Sequence, residues 1–180
     1  MTQRIGMPVS DFALQALEQP SRAWSLQDCL EGKQGAVFVF WSALCAHCVR
    51  YDGFLNSFPS RHPDLSLFAI ASRAGEAPSQ MRAAMAARSL TFPILIDPGC
   101  KVAQAWNSQQ TPRCYLIGAD RTLIYRGAID NFKTVEDDEF TAYLEPAIQS
   151  FLSGEPVARP ETASFGCAIQ TVYYQLPRQL

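Results

Sequence analysis

Apolar residues fall along this chain in short continuous runs, separated by stretches with helical spacing. That alternation predicts buried strands joined by amphipathic helices. Ala36–Trp41 reads AVFVFW, β-branched and aromatic with no polar break, as a strand covered on both faces does. The pattern turns helical at Ala46 and holds to Phe58, with Pro59 and Pro63 expected to close it. LSLFAIA at Leu65–Ala71 predicts the next buried strand, and the Ala-, Met- and Arg-rich residues Ala77–Ser89 a further helix. FPILID at Phe92–Asp97 is a short strand, followed by a turn at Asp97, Pro98 and Gly99 and a short helix through Trp106. Past Pro112 the pattern changes. Cys114–Ile117 and Leu123–Arg126, split by GADRT, predict an antiparallel hairpin. A last helix is expected to begin near Asp137 or Asp138, whose carboxylates suit a helix N-terminus. Pro146 should kink or divide it, and Gly154 should end it.

Helices between strands, then a hairpin and a closing helix, describe an α/β fold: a mixed central sheet flanked by helices on both faces. The expected organisation is one domain over residues 1–153 with an extra N-terminal segment. Residues 154–180 form a linker and a C-terminal tail packing on or near that domain. Gly154–Ser164 is rich in Pro, Ala and Glu, and the tail FGCAIQTVYYQL follows.

Composition narrows the partners. With 48% hydrophobic and 18% charged residues, the 180-residue chain can bury an ordinary core. A net charge of -2 and the lack of any basic cluster leave nucleic acid without an electrostatic footing. No apolar run approaches the roughly 20 residues that cross a bilayer, so no membrane partner is expected. MTQRIGMPVSDFAL carries no apolar signal core. As the chain stands it is expected in the cytoplasm, or in the periplasm if a leader has been removed. Six cysteines are too few for a disulfide scaffold. Only Cys45 and Cys48 sit close together.

A strand that ends at Trp41 and feeds a helix puts Cys45 at the helix N-terminus and Cys48 one turn later on the same face. Cα atoms three apart on a helix are separated by about 5 Å, inside the window for a disulfide. Unpaired N–H groups at a helix start favour a thiolate, so Cys45 should ionise below the free value of about 8.5. Cys48, more covered, should stay a thiol until needed. A structural zinc site would need four ligands, and the only histidines are His47 and His62. An inert buried pair is the plain alternative, and the strand-to-helix setting disfavours it. Cys29, Cys100 and Cys114 read as small core hydrophobes. Cys167 in the tail reads as packed or exposed, and could resolve a mixed disulfide only if the tail folds back to the site.

FVFWSALCAHC resembles the active-site strand and turn of the thioredoxin superfamily. FPILIDPGCKVAQAWNSQQTPRCYLIGADRTLIYRGAIDN resembles the redoxin-type stretch in which an Asp-Pro turn, a short helix and a Thr-Pro precede the hairpin. YLEPAIQSFLSGEPV and SFGCAIQ are similar to the redoxin (alkyl hydroperoxide reductase/thiol-specific antioxidant) branch, close to TlpA-like proteins. The resemblance implies a thioredoxin-like fold and a thiol–disulfide oxidoreductase without cofactor or metal. Its partners would be disulfide- or thiol-containing proteins or small thiols; no oligomeric state follows. It implies that Cys45 is the nucleophile, Cys48 the resolving cysteine, and Pro112 a cis-proline facing them. Thr111 would pair backbone-to-backbone with a bound polypeptide.

Some positions depart from the family. Val39 and Tyr51 stand where thioredoxins and TlpA-like proteins carry a carboxylate that helps deprotonate the resolving cysteine. His47, Asp52 or a water would have to substitute. Gly53 stands where a proline kinks the helix. His47 matches DsbA-type oxidants rather than reductants, and is expected to stabilise the Cys45 thiolate and raise the potential. Two other functions compete. A peroxiredoxin-like thiol peroxidase would need P-x-x-x-T-x-x-C, but Phe38 and Ser42 precede Cys45 at those spacings. A copper chaperone of this fold would need C-x-x-x-C, and a non-catalytic docking module would not need both cysteines.

Overall fold

The computed structural model describes residues 3–170. Seven strands form one mixed sheet: β1 (Ala13–Ala16), β2 (Gln19–Ser25), β3 (Gly35–Trp41), β4 (Leu65–Ala71), β5 (Ile94–Ile96), β7 (Arg113–Gly118) and β8 (Leu123–Gly127). Two short strands, β6 (Gln110–Thr111) and β9 (Cys167–Ala168), pair separately. The sheet order is β2-β1-β5-β4-β3-β7-β8. β3, β4 and β5 are parallel, while β7 and β8 return antiparallel to them. The helices are α1 (Leu26–Leu30), α2 (Ala46–Val49), α3 (Asp52–Arg61), α4 (Pro78–Arg88), α5 (Lys101–Ala105) and α6 (Leu144–Leu152). This is the thioredoxin-like arrangement expected from the sequence.

All seven residues of β3 are buried, because both faces of the strand are covered. Successive side chains of a strand point to opposite faces. Val37, Val39 and Trp41 therefore join one core with residues of α2, α3, α4 and α6. Ala36, Phe38 and Phe40 join the other, with α1, α5 and Trp106. Gly35 opens β3 where a side chain could not fit, since a Cβ would lie 2.4 Å from the Ile117 carbonyl oxygen.

The local structure departs from the sequence reading in several places. The stretch read as one helix from Ala46 to Phe58 is two, α2 and α3, broken at Arg50–Tyr51, and Gly53 lies inside α3 rather than at the break. α3 runs on to Arg61 with Pro59 inside it. The last helix starts at Leu144, not near Asp137 or Asp138. The Asp137 carboxylate caps a turn instead, accepting from the Glu139 N–H at 2.9 Å. Pro146 falls in the first turn of α6, where a missing N–H costs little, so it does not divide the helix. α1 was not anticipated; its start is set by a capping box between Ser25 and Asp28.

The linker does not hang free. Arg126 N–H donates to the Pro160 carbonyl at 3.0 Å, and Thr162 N–H to the Arg126 carbonyl at 3.1 Å, while the Arg126 guanidinium pairs with Glu161. Beyond it, the Ile169 N–H donates to the Gln109 carbonyl at 2.9 Å and the Ala74 N–H to the Ile169 carbonyl at 2.9 Å. Residues 171–180 of the expected tail lie outside the described residues.

Candidate active site

β3 delivers its C-terminal end to a tight turn. The Cys45 N–H bonds the Ser42 carbonyl at 3.2 Å, the Leu44 N–H bonds Ser42 Oγ at 3.1 Å, and the Ala43 N–H bonds Glu76 Oε1 at 2.6 Å. Cys45 is the N-cap of α2, with extended backbone, and the Cys48 N–H reaches back to its carbonyl at 3.0 Å. The Thr111–Pro112 peptide bond is cis. The Thr111 carbonyl oxygen accepts from Cys45 Sγ at 3.2 Å. Cys45, Cys48 and Thr111 are thus gathered at one point, all buried, with Pro112 beside them.

The electrostatics separate the two thiols. Cys45 is pulled down to about 4 from an ordinary 9.0, chiefly because the Cys48 thiol donates to its sulfur; burial opposes the shift. The Cys167 thiol and backbone N–H and the Thr111 side chain add to the stabilisation. The Thr111 hydroxyl is buried without a hydrogen-bond partner among the described residues, and as a rotatable donor it can turn to the thiolate. Cys48 is pushed well above 9.0 by burial, then by its bond to Cys45 and by the Cys45 charge. The sequence reading looked to the helix start for thiolate stabilisation. In the structure the named donors are two other cysteines and Thr111.

The His47 ring packs on Phe132 and Phe165, with centroids 5.1 and 6.0 Å away. The alternative acids are also engaged. Asp52 forms a two-pronged pair with Arg88 at 2.7 and 2.5 Å, and Arg88 lies over the Trp41 ring. Tyr51, at the family's carboxylate position, donates its hydroxyl to Asp130 Oδ1 at 2.7 Å. Burial, then Asp130, raises the Tyr51 phenol far above its usual value, so it stays protonated.

Cys114 is buried in the same core as the pair, and its thiol is driven up by burial, in keeping with an inert core residue. Cys29 is pushed up to about 12 for the same reason. Cys167 was underrated. It sits opposite Thr111 in an antiparallel β6–β9 pair, beside Cys45. The one sequence signal was the glycine before it. A Cβ on Gly166 would lie 1.9 Å from the Thr111 carbonyl oxygen, so only glycine lets the tail approach this closely.

A family model described as Redoxin matches residues 4–144 of this sequence. The chain belongs to the redoxin family. Two relatives of this redoxin bear the name thiol-disulfide oxidoreductase ResA. The one from Bacillus cereus is 26% identical over 67% of this chain and 68% of its own length. The one from Halalkalibacterium halodurans is 30% identical over 67% and 66%. A solved structure of a hypothetical protein from Sinorhizobium meliloti is 25% identical, with a TM-score of 0.80 over 94% of this chain and 95% of that one. The redoxin is accordingly an oxidoreductase of the thioredoxin-like type. Among the described residues no helix is long and apolar enough to cross a membrane.

The Cys45 environment has a direct consequence. Thiolate absorbance of the reduced protein should show one group titrating near pH 4, absent from a Cys45→Ser variant. The folded value lies below the unfolded one, so the stability this group contributes is complete above pH 9.0 and is lost as the pH falls through about 4. A disulfide has no such ionisation. The stability gap between reduced and oxidised protein should therefore shift toward the oxidised form on acidification. A gap independent of pH between these limits would contradict the assignment.

Proposed function

We propose that the redoxin exchanges disulfides with protein or small-thiol substrates through Cys45 and Cys48. The observation that carries this reading is Cys45 at the start of α2, its sulfur 3.2 Å from the Thr111 carbonyl beside the cis-proline and its thiolate favoured chiefly by the Cys48 thiol. Cys45 attacks one sulfur of a substrate disulfide. The other sulfur leaves as a thiolate and takes up a proton, and a mixed disulfide remains. Forming that bond removes the charge on Cys45, and with it one of the causes holding the Cys48 proton. Cys48 then loses its proton and attacks Cys45 Sγ, releasing the reduced substrate and closing Cys45–Cys48. In the oxidising direction the steps reverse.

The low Cys45 value favours the dithiol, so the disulfide is a comparatively strong oxidant. Such a couple suits an oxidising compartment better than the cytosol. A protein substrate would meet an apolar rim, because Leu44, Val49, Phe132 and Phe165 are exposed on or next to α2 and its neighbours. Beside Pro112 opens a cleft of about 190 Å³ flanked by Tyr51, Asp130, Phe132, Tyr143 and Phe165. Thr111 and Pro112 would hold the substrate backbone at this edge. His47 is assigned to tuning through its packing on Phe132 and Phe165 rather than through a bond to Cys45.

Equilibration in glutathione redox buffers, followed by thiol trapping, tests this. A two-electron couple above the thioredoxin value of about -270 mV is expected. A value at or below it would remove the oxidant assignment, and failure to equilibrate at all would remove the exchange reading. Rapid peroxide consumption without any disulfide exchange would instead favour the thiol peroxidase.

A further inference from the structure

Cys45 is fully buried, at 0% exposure, although it is the proposed nucleophile. Part of what lies against it is the C-terminal segment. β9 pairs with β6 in the register Thr111↔Cys167 and Gln110↔Ala168, across the same Thr111 whose carbonyl meets Cys45 Sγ. The segment is seated by several contacts. Gln110 and Arg113 donate to Ser164, Ile169 is buried in the core, and Gly166 passes against the Thr111 carbonyl with no room for a side chain. Its place opposite Thr111 brings Cys167 to the Cys45 side of this edge, where it adds to the stabilisation of the Cys45 thiolate.

A second observation concerns Arg73. Its Nη1 is buried without a hydrogen-bond partner among the described residues. Burial, then the bond to Cys45 and the Cys45 charge, raise the Cys167 thiol and keep it protonated, while the Arg73 guanidinium acts in the opposite sense. Once Cys45 is in a disulfide, that charge is gone and Arg73 remains. Arg73 is half-buried, and a covered guanidinium N–H without an acceptor gains from an anion that forms beside it.

We propose that Cys167 is a second resolving cysteine: its thiolate attacks Cys45 Sγ and forms a Cys45–Cys167 disulfide. The inference rests on the exchange reading above. Starting from Cys45–Cys48, that S–S bond breaks, Cys45–Cys167 forms, and Cys48 leaves as a thiolate that takes up a proton. Starting from a mixed disulfide with glutathione, glutathione leaves as its thiolate instead. The first exchange is isoelectronic. In the second the two electrons given up by Cys45 and Cys167 go to glutathione disulfide, which becomes two glutathione thiols. β9 thus acts as an internal substrate strand, and an external disulfide gains access to Cys45 when it lifts away.

The test compares Cys48→Ser with the double variant Cys48→Ser/Cys167→Ser after addition of glutathione disulfide, by intact mass and non-reducing peptide mapping. Cys48→Ser should collect the Cys45–Cys167 crosslink. The double variant should hold a stable glutathione adduct on Cys45 at about tenfold higher occupancy, because a tethered thiol acts at millimolar or greater effective concentration. Adding Gly166→Val to Cys48→Ser should displace the tail through the Thr111 clash and restore the adduct with Cys167 still present. Equal adduct in single and double variants, with a normal wild-type couple, would overturn the proposal and leave the exchange reading intact. No adduct on Cys45 in any variant, together with no wild-type couple, would overturn both.

Discussion

Cys45→Ser should lower disulfide exchange by at least about a thousandfold, the scale seen when a covalent nucleophile is removed. Serine keeps its proton at neutral pH and cannot form the mixed disulfide. The substitution is nearly isosteric in a fully buried position, and its neighbours Thr111 and Cys48 remain hydrogen-bonding partners, so the fold should survive. Two readouts move together if the assignment is right: exchange with glutathione disulfide disappears, and so does the thiol titrating near pH 4. Exchange retained at a tenth or more of the wild-type rate would show that another cysteine makes the first attack. Cys48→Ser should behave differently, since it spares that attack and impairs only release.

Trp106→Ala should cost about 3–5 kcal/mol, as large-to-small changes of buried aromatic residues do. Trp106 is fully buried on the face of the sheet away from the cysteine pair. It meets the rings of Phe12, Phe38, Phe40 and Tyr115 at centroid distances of 5.8, 5.4, 6.2 and 5.4 Å. Its Nε1–H donates to the Ser10 carbonyl at 3.0 Å, tying the N-terminal segment to the core. Domains are held by only about 5–15 kcal/mol in all, so the denaturant midpoint should fall sharply with an unchanged slope. Exchange by the molecules that remain folded should be preserved, because Trp106 packs on the opposite face from Cys45. A loss below about 1 kcal/mol would mean that this core can collapse around the cavity, contrary to its dense aromatic packing.

What the sequence made legible follows from how local the physics is. β3 and β4 announce themselves because strands buried on both faces admit almost no polar residues, and AVFVFW and LSLFAIA contain one serine between them. The pair of cysteines was legible for the same reason, being one helical turn past such a strand. The β1–β2 hairpin escaped notice, since β2 is an edge strand whose QPSRAWS is largely exposed and carries no alternation. Asp137 and Asp138 suggested a helix start because acidic residues suit both helix N-termini and turns, and periodicity could not separate the two. The missing acids at Val39 and Tyr51 left the proton acceptor for Cys48 open, and the helix start and His47 were the only thiolate partners the sequence offered Cys45. Beyond Cys48, the groups that favour the Cys45 thiolate, Cys167 and Thr111, are brought in by pairing across more than fifty residues of chain, which single-sequence patterns do not encode. His47 was read from its neighbour in sequence, whereas its contacts come from Phe132 and Phe165.

The clamp of residues 160–162 along β8 has a consequence for anyone who handles this protein. β8 ends the sheet, and the outer side of such a strand is a template on which a second molecule can add. At Arg126 both backbone groups on that side are taken by Pro160 and Thr162, and the Thr162 hydroxyl takes the Ala128 N–H at 3.1 Å. Cutting the chain after Gly154 to bare Cys45 would therefore also open a strand edge, and the sample would be prone to stick to itself. A lesion at Gly166 frees the thiol and leaves that guard in place.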